Sequence, residues 1–213
     1  MAWNGRDMKE RLNQFSSAPP HTRMLVCADG STTLLLDALV GERLSVRIDH
    51  QEQVPAARVR RIGCHILGAA PDALVVDRQT RILTPDDEVI SVNRVVIAGR
   101  ESDRLVPPPD ELLGPYLKKV GLALKREPIA VSRDTWPLGG TSPACVSKEY
   151  IIDCGGAGRV YVHERFNPRF VPLESSAPGT SASGTSSHAG ASGKGRSIHM
   201  TSGSTPPLRS ESA

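Results

Sequence analysis

Two charged side chains stand where apolar ones belong, and they are the first candidates for chemistry. Successive side chains of a β-strand point to opposite faces of the sheet. Arg78 is the only charge on the apolar face of the predicted strand 74–83, and Glu164 is the only charge on the apolar face of the predicted strand 159–166. Burying either charge alone costs several kcal/mol. The pattern therefore predicts a specific partner for each of them inside the fold.

The pattern alone leaves two interpretations of Arg78 and Glu164 open. In the first, the two side chains form a buried ion pair that only stabilises the sheet. In the second, they line a closed cavity, where the guanidinium binds a ligand carboxylate through two parallel hydrogen bonds. A desolvated carboxyl group has a raised pKa, which suits proton transfer or a hydrogen bond to a ligand hydroxyl.

Further polar residues are weaker candidates for the same site. Ser91 and Asn93 share one face of the predicted strand 88–98, either as cross-strand hydrogen-bond partners or as cavity lining. Thr32 stands at a predicted helix start, where backbone N–H groups can bind an anion, although most such residues only cap the helix. Arg126 follows a predicted helix and is either a second cation for a dianionic ligand or a solvated surface residue.

Hydrophobic periodicity predicts the elements that position these residues. Strict alternation indicates strands, and turn residues join four of them into two antiparallel hairpins. The predicted strands are 44–49, 74–83, 88–98, 148–154 and 159–166; the predicted helices are 3–15, 33–40 and 111–124; residues 51–73 form an irregular connection with a short helix or strand near 59–67. We expect one α+β domain, an antiparallel sheet of about five or six strands with helices packed on one side and enclosing a buried ligand cavity.

Composition divides the chain into three parts. Residues 1–20 are expected to form an N-terminal helix and linker, and residues 21–173 a globular domain. Residues 174–213 contain 12 Ser and 6 Gly among 40 residues. Such a segment buries too little apolar area to offset chain entropy, so it is predicted to be disordered. The glycine-rich segment 155–158 has no helix after it, which favours a hairpin turn over a phosphate-binding loop.

Charge and cysteine spacing exclude several classes of protein. The formal net charge is +3, and the tail supplies +1 of it, so no nucleic-acid partner is expected. No apolar run is long enough to span a membrane and the N-terminus lacks a secretory apolar core, so we expect a cytoplasmic protein without a membrane partner. Four cysteines without CxxC spacing predict reduced thiols and no metal site. His163 alternates to the polar face of its strand and is expected to be exposed.

Five segments, taken in order, resemble the chorismate pyruvate-lyase family. The segments are Arg23–Leu36 with the strand at 44–48, Arg78–Leu83, Glu111–Leu117, Lys125–Trp136 and Val160–Phe166. Each segment alone is weak evidence. Their common order and spacing, which cover about residues 8–172, carry the resemblance.

The resemblance implies an activity and a set of site residues. Members of the family eliminate pyruvate from chorismate to give 4-hydroxybenzoate, a carbon–oxygen lyase reaction of aromatic biosynthesis without metal or cofactor. Arg78 and Glu164 would be the catalytic pair, with Arg78 holding the ring carboxylate and Glu164 facing the hydroxyl. Backbone groups near Thr32 and Leu113 would complete the substrate contacts. Beyond the resemblance, we hypothesise that Arg126 takes the enolpyruvyl carboxylate in such a reaction.

A second family shares this fold without sharing the chemistry. UTRA-type domains of bacterial transcription regulators bind small effectors and catalyse nothing. No helix-turn-helix precedes the domain in this sequence, which favours the lyase. Both interpretations predict a small molecule as partner, either chorismate or a related aromatic acid.

Overall fold

The structure, a computed structural model, describes residues 13–122 and 125–175. Its centre is one antiparallel sheet with the strand order β1-β2-β3-β6-β5-β4. The strands are β1 (Ser45–Pro55), β2 (Leu74–Leu83), β3 (Val89–Ala98), β4 (Lys125–Thr135), β5 (Ala144–Asp153) and β6 (Arg159–Phe166). Two three-stranded meanders therefore meet where β3 pairs with β6, and this central pairing places both predicted hairpins side by side.

Four α-helices lie wholly within the described residues and connect or precede the strands. They are α1 (Pro20–Cys27), α2 (Thr32–Val40), α3 (Ser102–Leu105) and α4 (Leu113–Lys119). The start of α2 is capped as its sequence predicts, because the Ser31 hydroxyl accepts a hydrogen bond from the backbone N–H of Leu34 at 3.4 Å. The helix ends at Gly41, whose φ of 79° suits glycine. No helix in the described parts of the chain is long and apolar enough to cross a membrane.

The helices cover one face of the sheet with two separate apolar clusters. The first contains Leu36 of α2 and Phe166 of β6, and the second contains Leu117 of α4 and Val160 of β6. A third cluster lies on the opposite face, where a 3-10 helix (Ala56–Val59) and a π-helix (Arg61–Ile66) pack against Val75, Val96 and Tyr161. The α+β class is confirmed, and short helical turns also cover part of the second face.

Several element boundaries differ from the prediction. The strand predicted at 44–49 continues to Pro55 and lies at the edge of the sheet. Most of its residues are exposed or half-buried, so its sequence does not have to alternate between apolar and polar residues. The other edge strand, β4, was missed for the same reason, since its residues are mostly half-buried or exposed. Helix α1 was also missed, although it begins with Pro20 in the favoured first-turn position.

Two predictions concern segments that the structure describes little or not at all. Of the helix predicted at 3–15, residues 13 and 14 are helical and Phe15 is fully buried, while residues 1–12 lie outside the described residues. The tail predicted from residue 174 onward is described only to residue 175. The predicted domain boundaries at 20 and 173 therefore stay predictions.

The β5–β6 turn is a hairpin turn, as predicted, and its last glycine is required by the packing around it. Gly158 has a φ of 145°, and a Cβ there would overlap the carbonyl oxygen of Ala98 and lie 2.8 Å from the Cα of Gly99. We expect Gly158→Ala to lower the free energy of unfolding by about 2 kcal/mol, from overpacking and backbone strain. Gly156→Ala is the matched control, because nothing lies within 4 Å of its Cβ position. Denaturant unfolding giving equal stabilities for the two variants would contradict this close approach.

Candidate functional site

A row of polar side chains crosses the helix-covered face of the sheet between the first two apolar clusters. Strand pairing places Thr80 opposite Asn93, Asn93 opposite Glu164, and Glu164 opposite Lys148. All four residues are at least nine-tenths buried. Because directly opposed side chains on one face are close neighbours, the register itself assembles a buried polar strip from four strands.

This strip forms part of the floor of a pocket that the helix starts cover. Thr80, Asn93 and Glu164 line the pocket from below, and Arg78 lies on the same face of β2. Residues of the α2 and α4 starts line it from above, namely Thr32, Thr33, Leu112, Leu113 and Gly114. The remaining walls are mostly apolar side chains of the sheet, which include Val46, Ile82, Val95, Ile152 and Val162. The cavity between these residues has a volume of about 40 Å³.

Arg78 is a buried cation that pairs with no carboxylate in the part of the chain that the structure describes. Its side chain donates from Nη1 to the Gln51 amide oxygen at 3.1 Å and to the Pro107 carbonyl oxygen at 2.9 Å. Within residues 13–122 and 125–175, no Asp or Glu oxygen lies within 4.0 Å of its guanidinium. Burial lowers the pKa of Arg78, as expected for a charge removed from water. The interpretation of Arg78 and Glu164 as an ion pair is therefore wrong.

Strand order explains why the ion pair does not form. Arg78 lies on β2 and Glu164 on β6, and β3 runs between these strands. Neighbouring strands are about 4.8 Å apart, so the two backbones are separated by about 10 Å across the sheet. The residues also lie in different rows, because Arg78 pairs with Val95 whereas Glu164 pairs with Asn93.

Glu164 is buried beside a buried lysine. Burial raises the pKa of the Glu164 carboxyl group, and the positive charge of Lys148 opposes that rise. The Lys148 ammonium group donates to the carbonyl oxygens of Leu25, at 3.3 Å, and Ala28 at the end of α1. Burial in turn lowers the pKa of Lys148. The sequence analysis did not propose Lys148. It lies on the same face of β5 as Tyr150, so it is a charge on an apolar strand face, the feature that identified Glu164.

Three buried polar atoms around the pocket have no hydrogen-bond partner. They are Thr32 Oγ1, Asn93 Oδ1 and Glu164 Oε2, and only Ser91 Oγ shares this property elsewhere in the described parts of the chain. The great majority of buried polar groups in proteins are hydrogen-bonded. Ser91 and Asn93 thus do not form the cross-strand side-chain hydrogen bonds that were one interpretation of the sequence. Oxygens of this kind can accept hydrogen bonds from a polar molecule in the pocket.

The other predicted site residues also reach this pocket. Leu113 and Arg126 line it, so all five residues proposed from the sequence meet at one place. The Arg126 guanidinium donates to the Gly30 carbonyl oxygen and lies 5.5 Å from the centre of the Tyr150 ring, within the range of a cation–π interaction. His163 lies on the opposite face, as predicted, but it is half-buried and contacts Asp134 at 3.5 Å.

The described residues hold no group of three or more His, Cys, Asp or Glu side chains that could bind a metal ion. The donors and acceptors of the pocket are instead two guanidinium groups, one carboxyl group, hydroxyl groups and one amide. This set can bind an organic anion and hydrogen-bond its polar substituents.

Comparison with known proteins finds similarity in structure and none in sequence. No protein-family model and no curated protein sequence matches the chain. The crystal structure of the effector domain of PhnF from Mycobacterium smegmatis has a TM-score of 0.52 at 12% identity, covering 66% of this chain and 90% of that one. The structure of PhnF itself gives the same score and identity over 77% and 79% of the two chains. The C-terminal domain of the histidine utilization repressor from Pseudomonas syringae pv. tomato gives 0.49 at 10% identity, over 63% and 99%.

These comparisons correct the predicted activity. The similar structure with a TM-score of 0.52 is an effector domain and not a lyase, so the prediction of a chorismate pyruvate-lyase that makes 4-hydroxybenzoate was wrong. The physical reason is that the five resembling segments coincide with strands and helix starts that build the fold, and a fold hosts many functions. The expectation that the chain has no nucleic-acid partner stays a prediction. The fold is similar to that of the PhnF effector domain.

Proposed function

We propose that this chain is a non-catalytic ligand-binding domain whose pocket takes a small organic acid, with an aromatic acid as the best-fitting class. The observation that carries the proposal is Arg78, a buried guanidinium in the pocket with no carboxylate partner among the described residues. A ligand carboxylate supplies the missing negative charge. Similarity to an effector domain supports a binding role over chemistry.

The balance of charge in the pocket favours an anionic ligand. Arg78 and Arg126 line it, Lys148 lies next to Glu164, and Glu164 is the only carboxyl group among the lining residues. Desolvation makes an unpaired buried cation unfavourable, and a bound anion relieves that penalty through a charge-assisted hydrogen bond. A neutral molecule of the same shape forms no such charge-assisted hydrogen bond and is bound less tightly.

The remaining pocket surface selects the body of the ligand. Valine, isoleucine and leucine side chains wall the pocket, so the part of the ligand that they contact is apolar and compact. Asn93 Oδ1, which accepts no hydrogen bond from the described residues, then faces a second polar substituent. An acid with an apolar ring and a hydroxyl group away from the carboxylate satisfies both requirements.

Thermal unfolding with matched ligands tests the proposal. We expect benzoate and 4-hydroxybenzoate to raise the melting temperature, and the neutral benzamide and 4-hydroxybenzamide to raise it much less. A ligand of the native state at 100 times its Kd adds about 2.7 kcal/mol to the free energy of unfolding. Equal shifts from acids and amides would contradict recognition of the anion. No shift from any of the four would contradict an aromatic-acid site.

A further inference from the structure

The buried pocket adjoins a surface cleft, and the two share a narrow partition. The cleft lies between the segment before α2 and the start of α4, and its lining residues include Asp29, Asp37, Lys118 and Lys125. Three residues line both the cleft and the pocket: Thr33, Gly114 and Arg126. Among these three, Arg126 has the only long side chain. Its guanidinium therefore forms the part of the partition that can move.

The contacts of Arg126 place its guanidinium between two segments of backbone. Nη1 donates to the Gly30 carbonyl oxygen on one side. On the other side, Nη2 lies 3.3 Å from the position that a Cβ on Gly114 would occupy. The Tyr150 ring supports the guanidinium, with Cζ 5.5 Å from the ring centre. A glycine at position 114 leaves room for the guanidinium to lie against the start of α4.

These contacts hold the guanidinium without an ion pair. Within residues 13–122 and 125–175, no carboxylate oxygen lies within 4.0 Å of Arg126. Rotation about its side-chain bonds breaks one hydrogen bond and one ring contact. Such rotations are fast at a half-exposed position compared with motions of the backbone. The partition can therefore open without any rearrangement of the sheet or the helices.

We infer that Arg126 is the gate of the ligand pocket, and that small acids enter and leave through the surface cleft past its guanidinium. This inference rests on the proposed function of the pocket as a ligand site. The cleft carries the cations Lys118, Lys125 and Arg126 against two carboxylates, so its charge favours the approach of an anion. Once the ligand is inside, the guanidinium returns to Gly30 and closes the pocket over it.

A thiol placed inside the pocket measures the opening directly and needs no natural ligand. Thr80→Cys puts the thiol on the pocket floor at a position that is 5% exposed. The probe is the anionic reagent 2-sulfonatoethyl methanethiosulfonate, and mass spectrometry of the peptide containing position 80 gives the labelling rate. We expect Arg126→Ala in this background to raise the rate at least tenfold. Arg133→Ala, an exposed arginine on the same strand, should change it by less than twofold.

Native buried thiols distinguish opening of the gate from unfolding. Cys145 and Cys154 are at least 98% buried in the sheet, and both must stay unlabelled in every variant. If Cys145 and Cys154 are labelled as fast as position 80 in Arg126→Ala, that variant has unfolded. The Arg126→Lys variant is then used to test the gate. Lysine keeps the charge but lacks the planar group that bridges Gly30 and Tyr150, so labelling should again be faster.

The outcomes separate the gate from the ligand. Equal labelling rates at position 80 with and without the Arg126 guanidinium would overturn the gate, even if aromatic acids stabilise the protein. Faster labelling without any stabilisation by aromatic acids would support the gate and remove the proposed ligand class.

Discussion

Arg78→Met is expected to abolish most of the affinity for an aromatic acid while leaving the ligand-free protein folded. Loss of a buried charge-assisted contact to a carboxylate should weaken binding at least 100-fold, which corresponds to about 2.7 kcal/mol. Methionine has a similar length and needs no counter-ion, so the desolvation penalty of Arg78 disappears. The hydrogen bonds to Gln51 and Pro107 are lost at the same time, which offsets part of that gain. Isothermal titration with benzoate and chemical unfolding measure the two effects separately.

The matched control for this variant lies on the same strand. Arg81 points to the opposite face of β2, is partly exposed and forms an ion pair with Asp49. Arg81→Met should leave the affinity for benzoate within twofold of the original chain, because an exposed ion pair contributes about 1 kcal/mol or less to stability and lies outside the pocket. Equal losses of affinity in the two variants would mean that Arg78 acts through stability and not through the ligand.

Glu164→Gln is expected to flatten the pH dependence of stability. Burial raises the pKa of Glu164 in the folded state above its usual value of 4.5. A carboxyl group with a raised folded pKa stabilises the protein below its unfolded pKa, and this stabilisation is lost as the pH rises through the folded pKa. The loss has a maximum slope of about 1.4 kcal/mol per pH unit. Glutamine does not titrate, so the stability of the variant relative to the original chain should rise as the pH rises above 4.5.

Unfolding in denaturant at a series of pH values from 4 to 8 measures this difference. His163 also titrates in part of this range, because burial lowers its pKa below 6.5, but its contribution is common to both proteins and cancels. Glu101→Gln removes an exposed carboxylate that pairs with Arg104 and should follow the original curve. Parallel curves for Glu164→Gln and the original chain would show that Glu164 is not desolvated.

The alternation of side chains singled out two residues that the structure places in one pocket. A single charge on an apolar strand face identified Arg78 and Glu164, and both line the pocket. The same rule applied to β5 would have found Lys148, whose neighbours on that face are Tyr150 and Ile152. Alternation works here because these strands lie inside the sheet, where one face must be buried. An edge strand does not have to bury one face as completely, so the sequence of β4 shows no clear alternation of apolar and polar residues.

What the sequence could not predict is how the strands are arranged next to one another. Whether Arg78 and Glu164 form an ion pair depends on β3 running between their strands, and no local pattern encodes that order. The activity was beyond reach for a related reason. Motifs that build a fold are shared by binding domains and enzymes, so the resemblance to a lyase family matched the fold and predicted the wrong chemistry.

The most direct test of the binding pocket is a map of where an acid binds. An amide-correlation NMR spectrum of the ¹⁵N-labelled chain, recorded with increasing benzoate, reports each backbone position. We expect the largest shifts at Thr80, Asn93 and Glu164 and at the start of α2, with small ones on the opposite face around Tyr161. Shifts confined to that opposite face, or none at concentrations that saturate a millimolar site, would contradict the assignment of this pocket as the ligand site.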